Sequence, residues 1–368
     1  MRIPVQGGAE LHASSKLRAW RAMSEESAPH PMPVRQHQHC VKTLLPRKPI
    51  WTWKLQQLTR LVRESHAQPM SGTHGLPAAV SPHEVGVMFL GHSSFLLQIG
   101  GVNVLVDPVF ATRLIVLRRQ RRPGVRIEDL PPIDVVLITH AHMDHLNKPT
   151  LRRVARRTRQ LTGTAPVVIV PSGVADLVSR LGFARVEELA WWQTIEVSGL
   201  TITATPAKHW GARMFRDTHR GFGGYVVDHR AGGRVYHSGD TAWFDGFAEI
   251  GQRLRPQIAL LPIGAYFPDS YRHVHTSPEE AVRGFVALGA ETMIPMHFGT
   301  FRLGREPMEE PPVRLLAEAD RLGIRNLVRV LAEGETAVFR APTEISPPTG
   351  AQSKAKQTDL FAAASKDL

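Results

Sequence analysis

Cysteine is almost absent: Cys40 stands alone in 368 residues. That excludes an intrachain disulfide framework and every cysteine-rich zinc module, so a metal site here must be built from histidine and carboxylate. Long apolar runs are missing too. No window approaches the ~18 consecutive apolar residues of a membrane span. The first thirty residues lack the run of ~7–15 that a secretory signal needs. The expectation is a cytoplasmic protein. Acidic residues are the scarcer charge, 33 against 45 Lys and Arg, for a formal net charge of +12. The excess is clustered. Six arginines lie at 113, 118, 119, 121, 122 and 126, and five more at 152, 153, 156, 157 and 159. Such clusters either attract polyanions, including the inner face of an anionic membrane, or form solvated helix faces. Hydrophobic residues at 42% and charged residues at 21% are ordinary for a globular chain.

Residues 1–80 read as an irregular extension carrying one amphipathic helix at about 51–64, where Trp51, Leu55, Leu58 and Val62 share a face. That helix either docks on the main domain or faces a membrane. From Val85 the texture changes to short β-rich runs at Val85–Leu90, Ser94–Ile99 and Val102–Val106, divided by glycines. Further strands are expected at Val135–Ile138, Val167–Val170, Thr194–Ala204, Gly224–Asp228, Arg234–His237, Ile258–Pro262, Thr292–Met296 and Val328–Val338. Helices are expected at Pro149–Arg159, Ser172–Leu181, Phe247–Leu254 and Pro312–Leu322. Ser277-Pro278-Glu279-Glu280 forms a capping box that opens another, ending at Leu288. The pattern predicts an α/β domain over 81–340, with two sheets and helices outside. The Pro-, Ser- and Lys-rich tail, 341–368, is expected to be disordered.

The chemistry concentrates in His140-Ala141-His142-Met143-Asp144-His145, directly after a fully apolar strand. A strand that breaks into a loop projects successive side chains in several directions, so these four donors need not share one ion. Imidazole with carboxylate suits zinc, and iron or manganese also satisfy it. Three later segments repeat the same grammar, a β-run ending on a potential ligand: His209, Asp240 and His297. Each is weak alone, because a lone strand-end histidine is more often a hydrogen-bonded surface residue. Glycines beside Asp240 and His297 suit a tight exit from a strand. Asp107, at the end of a strand, is the carboxylate expected behind the ligands, fixing a histidine tautomer; the alternative is a cap on the following turn. His37-Gln38-His39-Cys40 looks like a metal cluster, but nothing in its irregular context preorganises it.

With these residues in place, the sequence resembles the metallo-β-lactamase superfamily, whose signature is His-x-His-x-Asp-His followed by His, Asp and His on later strand ends. The resemblance implies a four-layer αβ/βα sandwich with a dinuclear centre at one edge. Further segments resemble the branch of N-acylphosphatidylethanolamine-hydrolysing phospholipase D: Met88–Ser94, Val106–Phe110, Asp129–Asp134, Trp191-Trp192, Pro206–Trp210, Ile263–Tyr266, His275–Ala281 and His297–Phe301. Gly221–Val227 departs from that branch in lacking a tryptophan. By resemblance His140, His142 and His209 hold one zinc ion, Asp144, His145 and His297 the second, and Asp240 bridges them. A metal-bridging hydroxide would then attack a phospholipid or other phosphodiester. Asp144, Asp240 and His275 are the expected catalytic residues. His92, Tyr266, Arg118 and Arg119 are the weaker candidates for substrate contact. Nucleic acid is not the expected partner, and a dimer is compatible with the sequence. The rival readings are a nucleic-acid phosphodiesterase, a lactonase or other carbonyl hydrolase, and a non-catalytic metal-binding scaffold.

Overall fold

In the computed structural model, residues 50–213, 217–230 and 233–340 are described. The irregular segment before Ile50, the His37–Cys40 cluster and the tail from Ala341 lie outside them. Helix α1 spans Ile50–His66. Strands β1 (Glu84–Gly91), β2 (Ser94–Ile99) and β3 (Val102–Val106) form a meander. A small hairpin follows, β4 (Arg113–Leu114) and β5 (Leu117–Arg118), then β6 (Val135–Leu137), α2 (Lys148–Thr162), β7 (Val167–Pro171), α3 (Ala175–Val178) and β8 (Arg185–Leu189). The second half contains β9 (Thr194–Val197), β10 (Leu200–Thr205), β11 (Gly224–His229), β12 (Gly233–His237), α4 (Gly246–Leu254), β13 (Ile258–Pro262), α5 (Pro278–Leu288), β14 (Thr292–Met296), α6 (Glu310–Arg321) and β15 (Thr336–Arg340).

Seven strands form one sheet in the order β15-β1-β2-β3-β6-β7-β8, and six form the other in the order β14-β13-β12-β11-β10-β9. The sequence explains why both sheets are covered on two faces. Along β1, Val85, Val87 and Phe89 enter one apolar cluster while Met88 and Leu90 enter another. Strand β6 divides the same way, Val135 and Leu137 from Val136. A strand apolar at every position needs a layer on each side. The second sheet and its helices cover the first set. Leu151 and Val154 of α2 and Val178 of α3 cover the other. The result is the four-layer metallo-β-lactamase sandwich that the motifs imply.

Local departures have local causes. The helix expected over Ser172–Leu181 contracts to Ala175–Val178, its start set where Glu188 accepts hydrogen bonds from the Val174 and Ala175 amides. The run Thr194–Ala204 divides at Ser198 and Gly199, whose φ values are 52° and 80°. Strand β8 (Arg-Val-Glu-Glu-Leu) is an edge strand too polar to be read in advance. Of the run Val328–Val338, Val328 makes only an isolated bridge to Met293, and the strand begins at Thr336. Among the described residues no helix is long and apolar enough to cross a membrane.

Candidate metal centre

Strand direction decides where the donors meet. In the first sheet β1, β3 and β6 run the same way, since β1 and β3 are each antiparallel to β2 and β3 is parallel to β6. In the second sheet β10, β12 and β14 share a direction by the same reasoning. The donors follow the carboxyl ends of these strands: His92 after β1, Asp107 after β3, His140–His145 after β6, His209 after β10, Asp240 after β12 and His297 after β14. Open α/β sheets characteristically bind ligands at that edge.

Two groups of side chains converge there. His140, His142 and His209 form one; His92, Asp144, His145 and His297 form the other. Asp240 lies between them. Its Oδ2 is 3.0 Å from His297 Nε2, 3.2 Å from His145 Nε2, 3.9 Å from His140 Nε2 and 4.0 Å from His209 Nε2. The seven residues that the motifs select lie together at this edge, and His92 joins the second group.

The hydrogen bonds behind these rings show why a cation fits. His209 donates from Nδ1 to the Val274 carbonyl at 2.8 Å, which leaves Nε2 as a lone pair. Thr139 gives its hydroxyl proton to Asp107 Oδ2 at 2.6 Å, so it accepts from His140 Nδ1 at 2.9 Å and His140 Nε2 is also a lone pair. Both lone pairs face His142 Nδ1, at 2.8 Å from His140 and 3.3 Å from His209. A proton on His142 Nδ1 can serve only one of these two lone pairs at a time, whereas a cation among the three nitrogens satisfies all of them. In the other group, His145 Nε2 and Asp240 Oδ1 are buried with no hydrogen-bond partner, a cost normally avoided. The donor set, neutral nitrogens with carboxylate oxygens, is that of a borderline-soft divalent ion.

Titration behaviour differs from ring to ring across the site. Burial pushes His209 and His92 down to about 4 and His140 well below its ordinary value, so these rings are neutral and ready to ligate. Burial also disfavours charge on His145 and His297, but the Asp240 and Asp144 carboxylates prevail and lift His145 well above 6.5 and His297 to about 9. Both carboxyls lie well below the usual range: burial opposes their ionisation, and neighbouring histidines, His145 foremost, outweigh it.

The other sequence candidates are placed unevenly. Asp107 lies behind the site and accepts from His145 Nδ1 at 2.7 Å and from the Thr139 amide at 2.8 Å. His275 joins the cluster, its Nδ1 3.9 Å from Asp240 Oδ2 and its ring 5.1 Å from that of His209. His92, read from sequence as a weak substrate contact, is instead buried with its Nε2 2.9 Å from Asp144 Oδ2. Its position at φ 60° in the β1–β2 turn turns the ring inward; the residue type beside Gly91 was the only signal. Arg119 is corrected: its guanidinium is buried and spent on the carbonyls of Arg121, Val109 and Leu90, so it braces the fold. Arg118 sits on the β4–β5 hairpin against α1, and Tyr266 donates to Glu310, so neither reaches the donors. Sequence gave no hint of Arg213, which donates to the Ala141 and Leu146 carbonyls and clamps the ligand loop. Trp210 closes the Pro206–Trp210 segment. Its half-exposed ring lies edge-on, 4.5 Å from His142.

Comparison with known proteins agrees with this geometry. Residues 102–298 match the family model described as beta-lactamase superfamily domain. A protein of Mycobacterium tuberculosis is 36% identical over 253 residues, 64% of this chain and 64% of that one. The chain thus spans just under two thirds of the length of that relative. A metal-dependent hydrolase of Methanopyrus kandleri is 34% identical, covering 68% of this chain and 98% of its own length. The mitochondrial N-acyl-phosphatidylethanolamine-hydrolyzing phospholipase D of Saccharomyces cerevisiae is 30% identical over 72% of this chain and 59% of its own. Among solved structures, a metallo hydrolase of Ignicoccus hospitalis matches at 27% identity with a TM-score of 0.54, over 70% of this chain and 98% of that one.

Proposed function

The chain belongs to the beta-lactamase superfamily; on that premise we propose that it is a metal-dependent hydrolase, and more closely a dinuclear zinc phosphodiesterase of the phospholipase D type, acting on lipids like N-acylphosphatidylethanolamine. The observation that carries the dinuclear reading is the position of Asp240, whose Oδ2 lies within 4.0 Å of histidine nitrogens from both donor groups. His140, His142 and His209 would hold one ion, and Asp144, His145 and His297 the other, with Asp240 shared. Two divalent ions held this way supply Lewis acidity toward a phosphoryl oxygen and lower the pKa of water near them. The phospholipid reading is supported by the yeast relative and by a relative of Caenorhabditis elegans that bears the same activity in its name, 33% identical over 231 residues.

The chain's own groups divide the remaining work. Asp107 accepts a hydrogen bond from His145 Nδ1 and, through Thr139, orients His140, so that both rings present Nε2 to the centre. His275, buried but for 15% of its side chain and with Nδ1 unpartnered, is held well below its ordinary 6.5 by burial, so its neutral ring is placed to offer an N–H hydrogen bond to a phosphate oxygen. The half-exposed Trp210 walls the opening beside His142. No serine or cysteine nucleophile is needed in this scheme.

Metal analysis with parallel assays on N-acylphosphatidylethanolamine, structured RNA and an acyl-lactone tests the reading. The expected result is about two zinc ions per chain and chelator-sensitive release of phosphatidic acid. Asp240→Asn should bind about one ion and lose at least about a hundredfold in turnover. A single-ion variant with full activity, or hydrolysis confined to the lactone or the RNA, overturns it.

A further inference from the structure

The β4–β5 hairpin does not behave like an ordinary surface turn. Its inner residues, Leu114 and Leu117, pack with Val109, Phe301 and Leu303. Its two-residue tip points the other way: Ile115 is 74% exposed and Val116 is 44% exposed. Ile115 also has φ 52°. Two-residue hairpin turns need positive φ at the first central residue, and glycine, asparagine or aspartate normally supplies it. A β-branched residue there is strained. Both backbone and solvation therefore disfavour isoleucine at 115, and nothing among the described residues covers it.

The charge around the tip is of one sign. Arg113 precedes it and Arg118 follows it, and neither forms an ion pair among the described residues; nor does exposed Arg63 on α1, which packs against β5. The acidic side chain of this helix turn, Glu64, is taken up by Arg60 at 2.6 Å and Arg302 at 3.3 Å. An apolar tip collared by arginines complements a surface with anionic head groups over an apolar interior. It does not suit a second copy of itself, since tip-to-tip contact would bring the arginines together. The hairpin is also joined to the metal site. Phe301, on which it packs, lines a small cavity with His297.

We propose that the Ile115–Val116 tip is an anchor that seats the protein on an anionic lipid surface, with Arg113 and Arg118 meeting the head groups. The anchor stands independently of the substrate, because binding is read without turnover. The test uses the full chain, metal-loaded, sedimented with phosphatidylcholine vesicles with and without phosphatidylglycerol. Partitioning onto the anionic vesicles is expected, weakened by salt of about 0.5 M. The double variant Ile115→Glu/Val116→Glu should lose at least about tenfold in partitioning. Arg113→Glu, a change of two charge units, should lose about twenty-five-fold, at about fivefold per unit. Hydrolysis of soluble bis(p-nitrophenyl) phosphate should be unchanged in both variants. An environment-sensitive dye on Ile115→Cys, in a Cys40→Ser background, should shift to the blue only when anionic vesicles are added. Wild-type partitioning that the variants share, or its absence, overturns the proposal. A dye already shifted without vesicles, or shifting with protein concentration, overturns it in favour of this chain's own segment or a second copy as the cover. Failure of the phosphodiesterase assay bears on the proposed function alone.

Discussion

Asp107 accepts three hydrogen bonds, from the Thr139 amide, the Thr139 hydroxyl and His145 Nδ1, all within 2.8 Å. One carboxylate thereby sets the tautomers of two ligand rings. Asp107→Asn presents an amide N–H to one of these donors, and metal affinity is expected to fall about 10- to 100-fold in a chelator competition titration. The histidines also fix how the metal-free protein responds to pH. His297 is raised to about 9 and His145 well above its ordinary 6.5, so their stabilisation is complete below 6.5 and is lost as pH rises through 9. His92 and His209 are lowered to about 4 by burial, so the unfolded chain takes up their protons first and stability also falls as pH drops from 6.5 toward 4. Urea unfolding of the metal-free protein should show greatest stability between those limits. Metal affinity should rise with pH up to about 9, because ligation displaces the protons on His145 and His297. A flat profile in either measurement would contradict these assignments.

Each strand that ends at the site needs a sharp exit, and the residue there bears the constraint. Gly239, just before Asp240, has φ 62°, and a Cβ on it would lie 2.5 Å from the Gly223 carbonyl oxygen and 2.9 Å from Thr139 Cβ. Gly239→Ala is therefore expected to destabilise the fold by about 2 kcal/mol or more and to displace Asp240. Thermal unfolding and metal stoichiometry check the two effects separately. The capping box over Ser277-Glu280 is present as the four residues dictate, with Pro278 at the start of α5. Helix α2 shows what became of the second arginine cluster. Leu151, Val154, Ala155 and Thr158 face the core, while Arg153 pairs with Glu128 and Arg157 donates to the Glu128 carbonyl. That cluster is largely the outer face of an ordinary amphipathic helix. The first cluster is dispersed into separate duties: bracing at Arg119, pairing at Arg121 and Arg126, and exposure at the hairpin.

At the scale of the molecule, the donor groups tie two sheets together. His140, His142, Asp144 and His145 follow a strand of the first sheet, and His209, Asp240 and His297 follow strands of the second. Ions held between them act as crosslinks present only in the folded state, so they stabilise by mass action. Removing them with a chelator should lower the unfolding temperature by several degrees, at about 2–4 °C per kcal/mol for a chain of this size. Restoring the metal should reverse the change. An unfolding temperature indifferent to chelator would mean that the donor groups do not hold ions together.

The sequence by itself determined the parts whose signals are local. Many strands followed from short apolar runs and glycine breaks, the α5 start from its capping box, and the candidate donors from their places at strand ends together with the family resemblance. Edge strand β8 and the shortened α3 escaped because polar edge positions and a borrowed Glu188 carboxylate leave no period to read. Tertiary structure alone decided what depends on which strands run side by side. It brought His92 from the first hairpin to Asp144, placed Asp107 behind both His140 and His145, and took Arg119 out of the site and into the core. His92 and Asp107 sit tens of positions from their partners, and a hydrogen bond at such separation is set by sheet order and strand direction, which no local pattern of side chains encodes.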